Sequence, residues 1–338
     1  MPLPPFIDNP DPKRWQRRAL TIPVGLATAP IATPCILLAL PVAWLYDRFA
    51  KGKSTCRALL FFCLFFWLQC IGLIRLGLSW LFWIVHRNRM RFLDSNHKIQ
   101  LWWSNAFFKS MSSLMGMTFV IEGDAPDCGG SLVFVRHASV ADTVLPIGLV
   151  SLPQDLRVRY VLKSELKWDP CLDIAGQRLP NAFVQRGAGQ KEIERAAKLG
   201  INLDMKSAVV IYPEGTRFTP KRQAALIQRF VDKKDTRNED RARSFQNCLP
   251  PRLGGVSALI AKAPTAPIVI MGHYGFEGAA KLSNLFNGRL GGTTVYVKFW
   301  QAPPPGVDHI AEWLDEQWHI MDEWVTSKEK SAKMTLSN

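Results

Sequence analysis

The stretch LVFVRHASVAD, residues 132–142, joins four apolar, β-favouring residues to a histidine and, five positions beyond it, an aspartate. Leu132–Val135 reads as a short buried strand. A chain that turns from this strand into a helix, expected over residues 140–149, can bring His137 and Asp142 together. Asp142 then accepts a hydrogen bond from one imidazole nitrogen and leaves the other free as a general base. By itself the pair is a weak signal, since chance supplies many His–Asp pairs at such spacing.

Working outward, similar short apolar runs occur at Thr118–Glu122 and at residues 159–162, 208–212, 267–271 and 295–299. Helical patterns lie at residues 99–117, 189–199 and 307–325 and at Leu253–Lys262. Strands alternating with helices predict an α/β sheet covered on both faces. A chain of 338 residues holds one such domain plus a separate N-terminal element. Residues 232–243 are almost wholly charged and read as a solvated loop or helix.

The N-terminal element is apolar. Residues 1–18 form a Pro-rich, basic cytosolic tail. Residues 19–46 carry no charge and are long enough to cross a bilayer. Pro23, Pro30, Pro34 and Pro41 each remove a helix N–H, so a straight spanning rod is not expected. A second run, residues 58–85, is broken only by Gln69 and Arg75. Basic residues precede the first run (Lys13, Arg14, Arg17, Arg18), separate the two (Arg48, Lys51, Lys53, Arg57) and follow the second (Arg87, Arg89, Arg91). The positive-inside rule assigns all three groups to the cytoplasm, which two simple spans cannot satisfy. A re-entrant hairpin and a two-span hairpin both stay open.

Lys and Arg outnumber Asp and Glu by 42 to 28, which favours anionic partners. Seven scattered cysteines without a short paired spacing argue against a disulfide framework or zinc cluster and for a reduced, cytosolic setting. The six histidines are dispersed and lack metal-ligand spacing. No phosphate-cradling GxxxxGK[ST] or GxGxxG loop stands between a strand and a helix, which excludes the common nucleotide folds. His273, after an apolar run, is the one other histidine of interest, with a structural role as the plain alternative.

A second constellation is Tyr212-Pro213-Glu214-Gly215-Thr216-Arg217. Pro213 stops a buried strand, Gly215 permits a tight turn, and the fork of Arg217 suits phosphate or carboxylate oxygens. Ligands of α/β sheets usually bind at such strand ends. Glu214 either fixes the turn or takes part in the chemistry.

His137 with Asp142, and Pro213–Arg217, resemble the His-x-x-x-x-Asp and Pro-Glu-Gly-Thr-Arg motifs of the glycerophospholipid acyltransferase family, in the family's order. Between them, the KSELKWDP stretch (163–170) is similar to its Lys-x-Glu-Leu-x-x-x-Pro segment. Phe183-Val184-Gln185-Arg186 is similar to its Phe-Ile-x-Arg element, although Gln185 stands where many members carry Asp or Asn. Residues 267–270 resemble its late apolar strand. The LPPRLGG stretch (249–255) resembles the branch that includes lysocardiolipin-type and eukaryotic lysophosphatidate acyltransferases. The resemblance covers roughly residues 95 to 300.

It implies a mixed, mostly parallel sheet flanked by helices, with an N-terminal membrane-embedded helical hairpin over residues 19–91. The acyltransferase domain would span 92–326, with a flexible tail over 327–338. The implied reaction moves a long-chain acyl group from acyl-CoA or an acyl-carrier-protein thioester to the free hydroxyl of 1-acyl-sn-glycerol-3-phosphate, giving phosphatidate. His137, Asp142 and Glu214 would be catalytic, and Arg186, Gly215, Thr216, Arg217, Lys163 and Arg252 would bind substrate. The acceptor is itself the nucleophile, so no protein serine is needed, and Ser139 is read as a capping or packing residue. No cofactor or metal is implied beyond the acyl donor. Lysophosphatidylglycerol or lysocardiolipin as acceptor, or a non-catalytic lipid-binding scaffold, are the alternatives. Expected partners are the lysophospholipid, the acyl thioester and anionic membrane lipid, with neither nucleic acid nor an obligate protein partner. The expected location is a bacterial inner membrane, with the catalytic domain facing the cytoplasm.

Overall fold

The structure is a computed structural model and describes residues 4–50, 52–123, 125–139, 141–185, 187, 189–277 and 282–337. Two long helices open the chain, α1 (Arg14–Phe49) and α2 (Thr55–His86), followed by α3 (Arg89–Met115). Seven strands follow: β1 (Thr118–Glu122), β2 (Leu132–Val135), β3 (Arg157–Lys163), β4 (Ala182–Val184), β5 (Ser207–Ile211), β6 (Ile268–Tyr274) and β7 (Thr294–Ala302). Between them lie α4 (Leu152–Gln154), α5 (Pro170–Arg178), α6 (Gln190–Ala197), α7 (Pro220–Asp232), α8 (Thr236–Arg243) and α9 (Leu253–Lys262), and α10 (Ile310–Ser337) ends the chain.

The strands form one sheet in the order β1-β7-β6-β2-β5-β3-β4, parallel at every pair except β6 with β7. The predicted α/β architecture and its mostly parallel sheet are therefore present. β2 lies in the middle, and its four residues are fully buried. That burial explains an unbroken apolar run where an edge strand would alternate with polar residues. Period two still sorts the side chains between faces. Val133 and Val135 pack with Met111 and Met115 of α3, whereas Leu132 and Phe134 pack with Leu259 of α9 and Leu314 and Trp318 of α10. Each such fully buried aliphatic or aromatic side chain is worth about 1.5–3 kcal/mol, so the sheet's centre is its most strongly fixed part.

Several elements differ from the sequence expectation, among them α1, a single helix that holds Pro23, Pro30, Pro34 and Pro41 inside it, and the unforeseen α5 and α7. β4 is only three residues long, too short for a periodic signal. Of residues 140–149, expected as a helix, Val140 lies outside the described residues, and the rest pass through a 3₁₀ turn at Ala141–Val144 into a π turn at Ile147–Ser151. Residues after 326 continue α10 to Ser337. The Pro-rich start of the chain lies against the sheet edge: Asn9 donates to the Asn181 carbonyl (2.9 Å) and accepts from the Phe183 amide (2.8 Å). With Ile7 buried beside it, this segment covers the outer strand β4.

Helices α1 and α2 are each long and apolar enough to cross a membrane. Both ends of the hairpin they form are nevertheless held by the domain. At the base, Arg17 and Arg18 pair with the buried Asp173 of α5 (2.9 and 2.8 Å). At the turn, the Ser54 hydroxyl donates to the Leu285 carbonyl (2.5 Å) and the Ser54 amide to the Phe286 carbonyl (3.2 Å). In between, the Gln69 amide group donates to Asp169, and Arg178 donates to the Leu76 carbonyl (2.9 Å). Gly72 lets α2 approach α5, because a Cβ there would lie 2.8 Å from the Cys171 sulfur. At 1.5 Å per helical residue the base and turn contacts are roughly 50 Å apart, so the hairpin lies along the domain rather than projecting from it.

Contacts at both ends hold the base and the turn of the hairpin against one domain. Single cysteines at Lys53 and at exposed Lys221, in a chain whose native cysteines are replaced, are therefore expected to react with an impermeant reagent from the same side. Labelling from opposite sides would contradict this arrangement.

Candidate active site

β2, β5 and β6 are adjacent and parallel, so their carboxyl ends open at one edge of the sheet. β2 delivers Arg136 and His137 there, β5 delivers Tyr212 to Arg217, and β6 carries His273 within its last residues. The two sequence constellations thus meet because strands far apart in sequence are neighbours in the sheet.

His137 Nδ1 lies 3.0 and 3.2 Å from the two oxygens of Asp142. A carboxylate only accepts, so Nδ1 carries a hydrogen and Nε2 is the nitrogen that faces away from Asp142. Asp142 is completely buried and also accepts the amide hydrogens of Ala138 and Ser139, both at 2.7 Å. Burial alone would raise its pKa, but the charge and hydrogen bond of His137, joined by those of His273, outweigh it and hold the group well below the usual carboxylate range.

The local chain explains why the expected helix does not form. Pro146 has no amide hydrogen to return to the Asp142 carbonyl, as residue i+4 of an α-helix would. That carbonyl instead accepts from the Tyr212 hydroxyl at 3.3 Å. The Tyr212 ring packs against the His137 ring, with centroids 4.8 Å apart.

Glu214 is buried, and its two oxygens accept from the amides of His137 (2.9 Å) and Leu249 (3.0 Å). Of its two sequence readings, this geometry is that of a residue fixing the turn. It ties the end of β2, the turn after β5 and the approach to α9 into one unit. Burial pushes its pKa up to about 7, against the opposing hydrogen bonds from those amides and the charge of Arg136. Gly215 has φ +66°, and a Cβ there would lie 3.2 Å from the Arg252 side chain, so Arg252 stacks directly on the turn. The Phe218 amide donates to the His137 carbonyl (2.6 Å), which draws Thr216 and Arg217 to the same edge. Lys163 ends β3, on the far side of β5, and pairs with Glu165 (2.8 Å). Arg186, the remaining predicted anion anchor, lies outside the described residues.

Two residues at this edge are more deeply involved than sequence reasoning indicated. Arg136 is wholly buried and donates to the carbonyls of His273 and Asn247 and to Glu277, each at 2.7 Å. An arginine at the end of an otherwise apolar strand was its only sequence signal. His273 is also wholly buried; its Nε2 lies 3.0 Å from the Arg136 carbonyl and 3.4 Å from Asp142 Oδ2. Both neighbours accept, so Nε2 carries the hydrogen. Asp142 therefore sits between two imidazoles, only one of which reaches the open edge. Among the described residues, no group of His, Cys, Asp and Glu could hold a metal ion.

This mostly parallel sheet, its helical covering and the apolar hairpin make the glycerolipid acyltransferase fold, with a His–Asp dyad at the strand ends. The protein-family model described as Acyltransferase matches residues 116–271, a span that contains His137, Asp142 and Glu214. Among curated proteins, the chain is 31% identical over 107 residues to 1-acyl-sn-glycerol-3-phosphate acyltransferase epsilon of Mus musculus, 30% of this chain and 29% of that protein's length. Among solved structures it is similar to the 1-acyl-sn-glycerophosphate (LPA) acyltransferase PlsC from Thermotoga maritima, at 16% identity and a TM-score of 0.48. That match covers 80% of this chain and 98% of that one.

Replacing His273 with Leu removes one donor from Asp142 and from the Arg136 carbonyl without touching the open edge. Turnover is expected to fall by an amount equivalent to about 1–3 kcal/mol, with partial recovery in His273→Gln, whose amide nitrogen can stand near Nε2. Equal loss in both variants would mark His273 as packing alone. Glu214 gives a pH test. Its folded pKa is raised from 4.5 to about 7, so its contribution to stability is full below 4.5 and lost as pH rises through about 7. Glu214→Gln lacks this dependence, and thermal melts should show the gap between variant and wild type narrowing as pH rises through that window.

Proposed function

We propose that the protein transfers a long-chain acyl group from a thioester of coenzyme A or acyl carrier protein to the free hydroxyl of 1-acyl-sn-glycerol-3-phosphate. The observation that carries this reading is the His137–Asp142 dyad at the strand ends of a segment matching the Acyltransferase family model. The mouse relative's own name supports the choice of acceptor.

His137 Nε2 takes the proton of the acceptor hydroxyl as its oxygen attacks the thioester carbonyl. Asp142 holds the tautomer and stabilises the imidazolium that forms. When the tetrahedral intermediate collapses, the C–S bond breaks and His137 returns the proton to the leaving thiolate. The amides of Ala138, Ser139, His137, Leu249 and Phe218 are already committed to Asp142, Glu214 and the His137 carbonyl. They serve to hold the dyad rather than the oxyanion. Arg217 and Arg252, beside Gly215, are the cations best disposed for the acceptor phosphate, with Arg186 and Lys163 assigned to the same role from sequence. A terminal phosphate offers paired arginines more charge and more acceptor oxygens than a phosphodiester does. The hairpin's exposed apolar residues would seat the domain on the cytoplasmic face of the membrane and admit acyl chains from the leaflet.

Purified protein offered equal lysophosphatidate, lysophosphatidylglycerol and lysocardiolipin with long-chain acyl-CoA in mixed micelles is expected to favour lysophosphatidate. His137→Ala should lose a factor on the order of 10²–10⁴ in rate while staying folded. A product ratio above about ten for either phosphodiester, roughly 1.4 kcal/mol of transition-state preference, would overturn the acceptor and leave acyl transfer standing. Near-normal turnover by the His137 variant would overturn the mechanism.

A further inference from the structure

Away from the catalytic edge, the second half of α2 and the first half of α3 enclose an open groove of about 600 Å³. Three cations line it: Arg75 from α2, and Arg91 and Lys98 from α3. On α3, positions 91, 94, 95 and 98 follow helical spacing and share one face. The groove's one carboxylate, Asp94, is already neutralised from outside by Arg157 at 2.9 Å. Among the described residues, none of the three cations has a carboxylate within ion-pair distance. The Arg75 guanidinium is oriented by the Trp102 ring, 4.4 Å from its centroid, which leaves its edge free to donate.

The surroundings identify the kind of anion. Leu78 and Phe82, which line the same groove, are 60% and 52% exposed, and Ile74 and Leu81 continue the exposed apolar surface along α2. A free inorganic anion would gain nothing from those side chains. A molecule with a phosphate at one end and acyl chains at the other satisfies both sets, the phosphate among the cations and the chains along α2. The hairpin lies along the domain, so this groove opens where lipid-facing residues give way to polar ones, the level at which headgroups lie.

We propose that the α2–α3 groove is a binding site for an anionic glycerophospholipid of the membrane, separate from the substrate site and serving to hold the domain on anionic bilayers. The test is native mass spectrometry of the full chain from detergent micelles containing equal phosphatidylglycerol and phosphatidylcholine. The wild type is expected to retain one phosphatidylglycerol in preference to phosphatidylcholine. Arg75→Gln with Lys98→Gln should reduce that preference about tenfold or more, while turnover on a soluble short-chain acceptor stays at the wild-type level. Ser95→Glu, which leaves the cations in place and adds a negative charge to the groove, should do the same and serves if the double variant is unstable. Lys233→Gln with Lys234→Gln, which removes equal charge from an exposed site past α7, should change nothing. Undiminished preference in both groove variants, or equal loss in the Lys233/Lys234 control, would overturn the proposal. Displacement of the retained lipid by acyl-CoA or lysophosphatidate would also overturn it, since the groove would then belong to the substrates.

Discussion

A buried carboxylate must be surrounded by donors or it will not remain charged. Asp142 meets this condition with two backbone amides and two imidazoles. The amides come from the chain leaving β2, His137 from the same turn, and His273 from β6. The arrangement exists only if β2 and β6 are neighbours and parallel and if the chain after His137 curls back on itself. Pro146 and the Tyr212 hydroxyl secure that curl, and Glu214 secures the far side of the turn. Removing the Tyr212 hydroxyl or the Glu214 carboxylate without its partners leaves a buried polar group unmatched, typically a loss of about 1–3 kcal/mol.

Much of this was legible in the residues. The buried strand before His137, the five-residue step to Asp142 and the Pro-Glu-Gly turn each carry a local physical signature: apolar run, short spacing, strand-stopping proline. β1, β2 and α9 appear with the bounds their patterns predict. What could not be read depends on contacts made across the sheet. A side chain such as Glu214 offers two sequence readings until its partners, the amides of His137 and Leu249, are known, and those amides belong to segments 77 and 35 residues away. His273 and Arg136 matter through each other, and nothing local to either announces it. The helix expected after Asp142 failed because propensity favoured it while burial of the carboxylate demanded a different turn.

The hairpin shows the same division. Its apolar length and prolines were evident, but length alone leaves crossing and lying flat equally open. Length also does not announce that Arg17 and Arg18 pair with buried Asp173 at one end and Ser54 with the 285–288 loop at the other. Asp169, pushed up to about 6 by burial, is matched by Gln69 from α2, so hairpin and domain share polar groups that neither could bury alone. The apolar surface left over faces outward along one side, and the cations of Arg75, Arg91 and Lys98 border it.

Asn9 reaches its partners 172 and 174 residues further along the chain. During synthesis, the segment around Asn9 therefore cannot make these bonds until β4 has followed it. The two apolar helices emerge in that interval and can enter lipid before any strand of the sheet exists. The segment around Asn9 closes the sheet's outer edge only after β4 has been made. A tag or fusion placed ahead of Ile7 acts on this last closure, not on the start of folding.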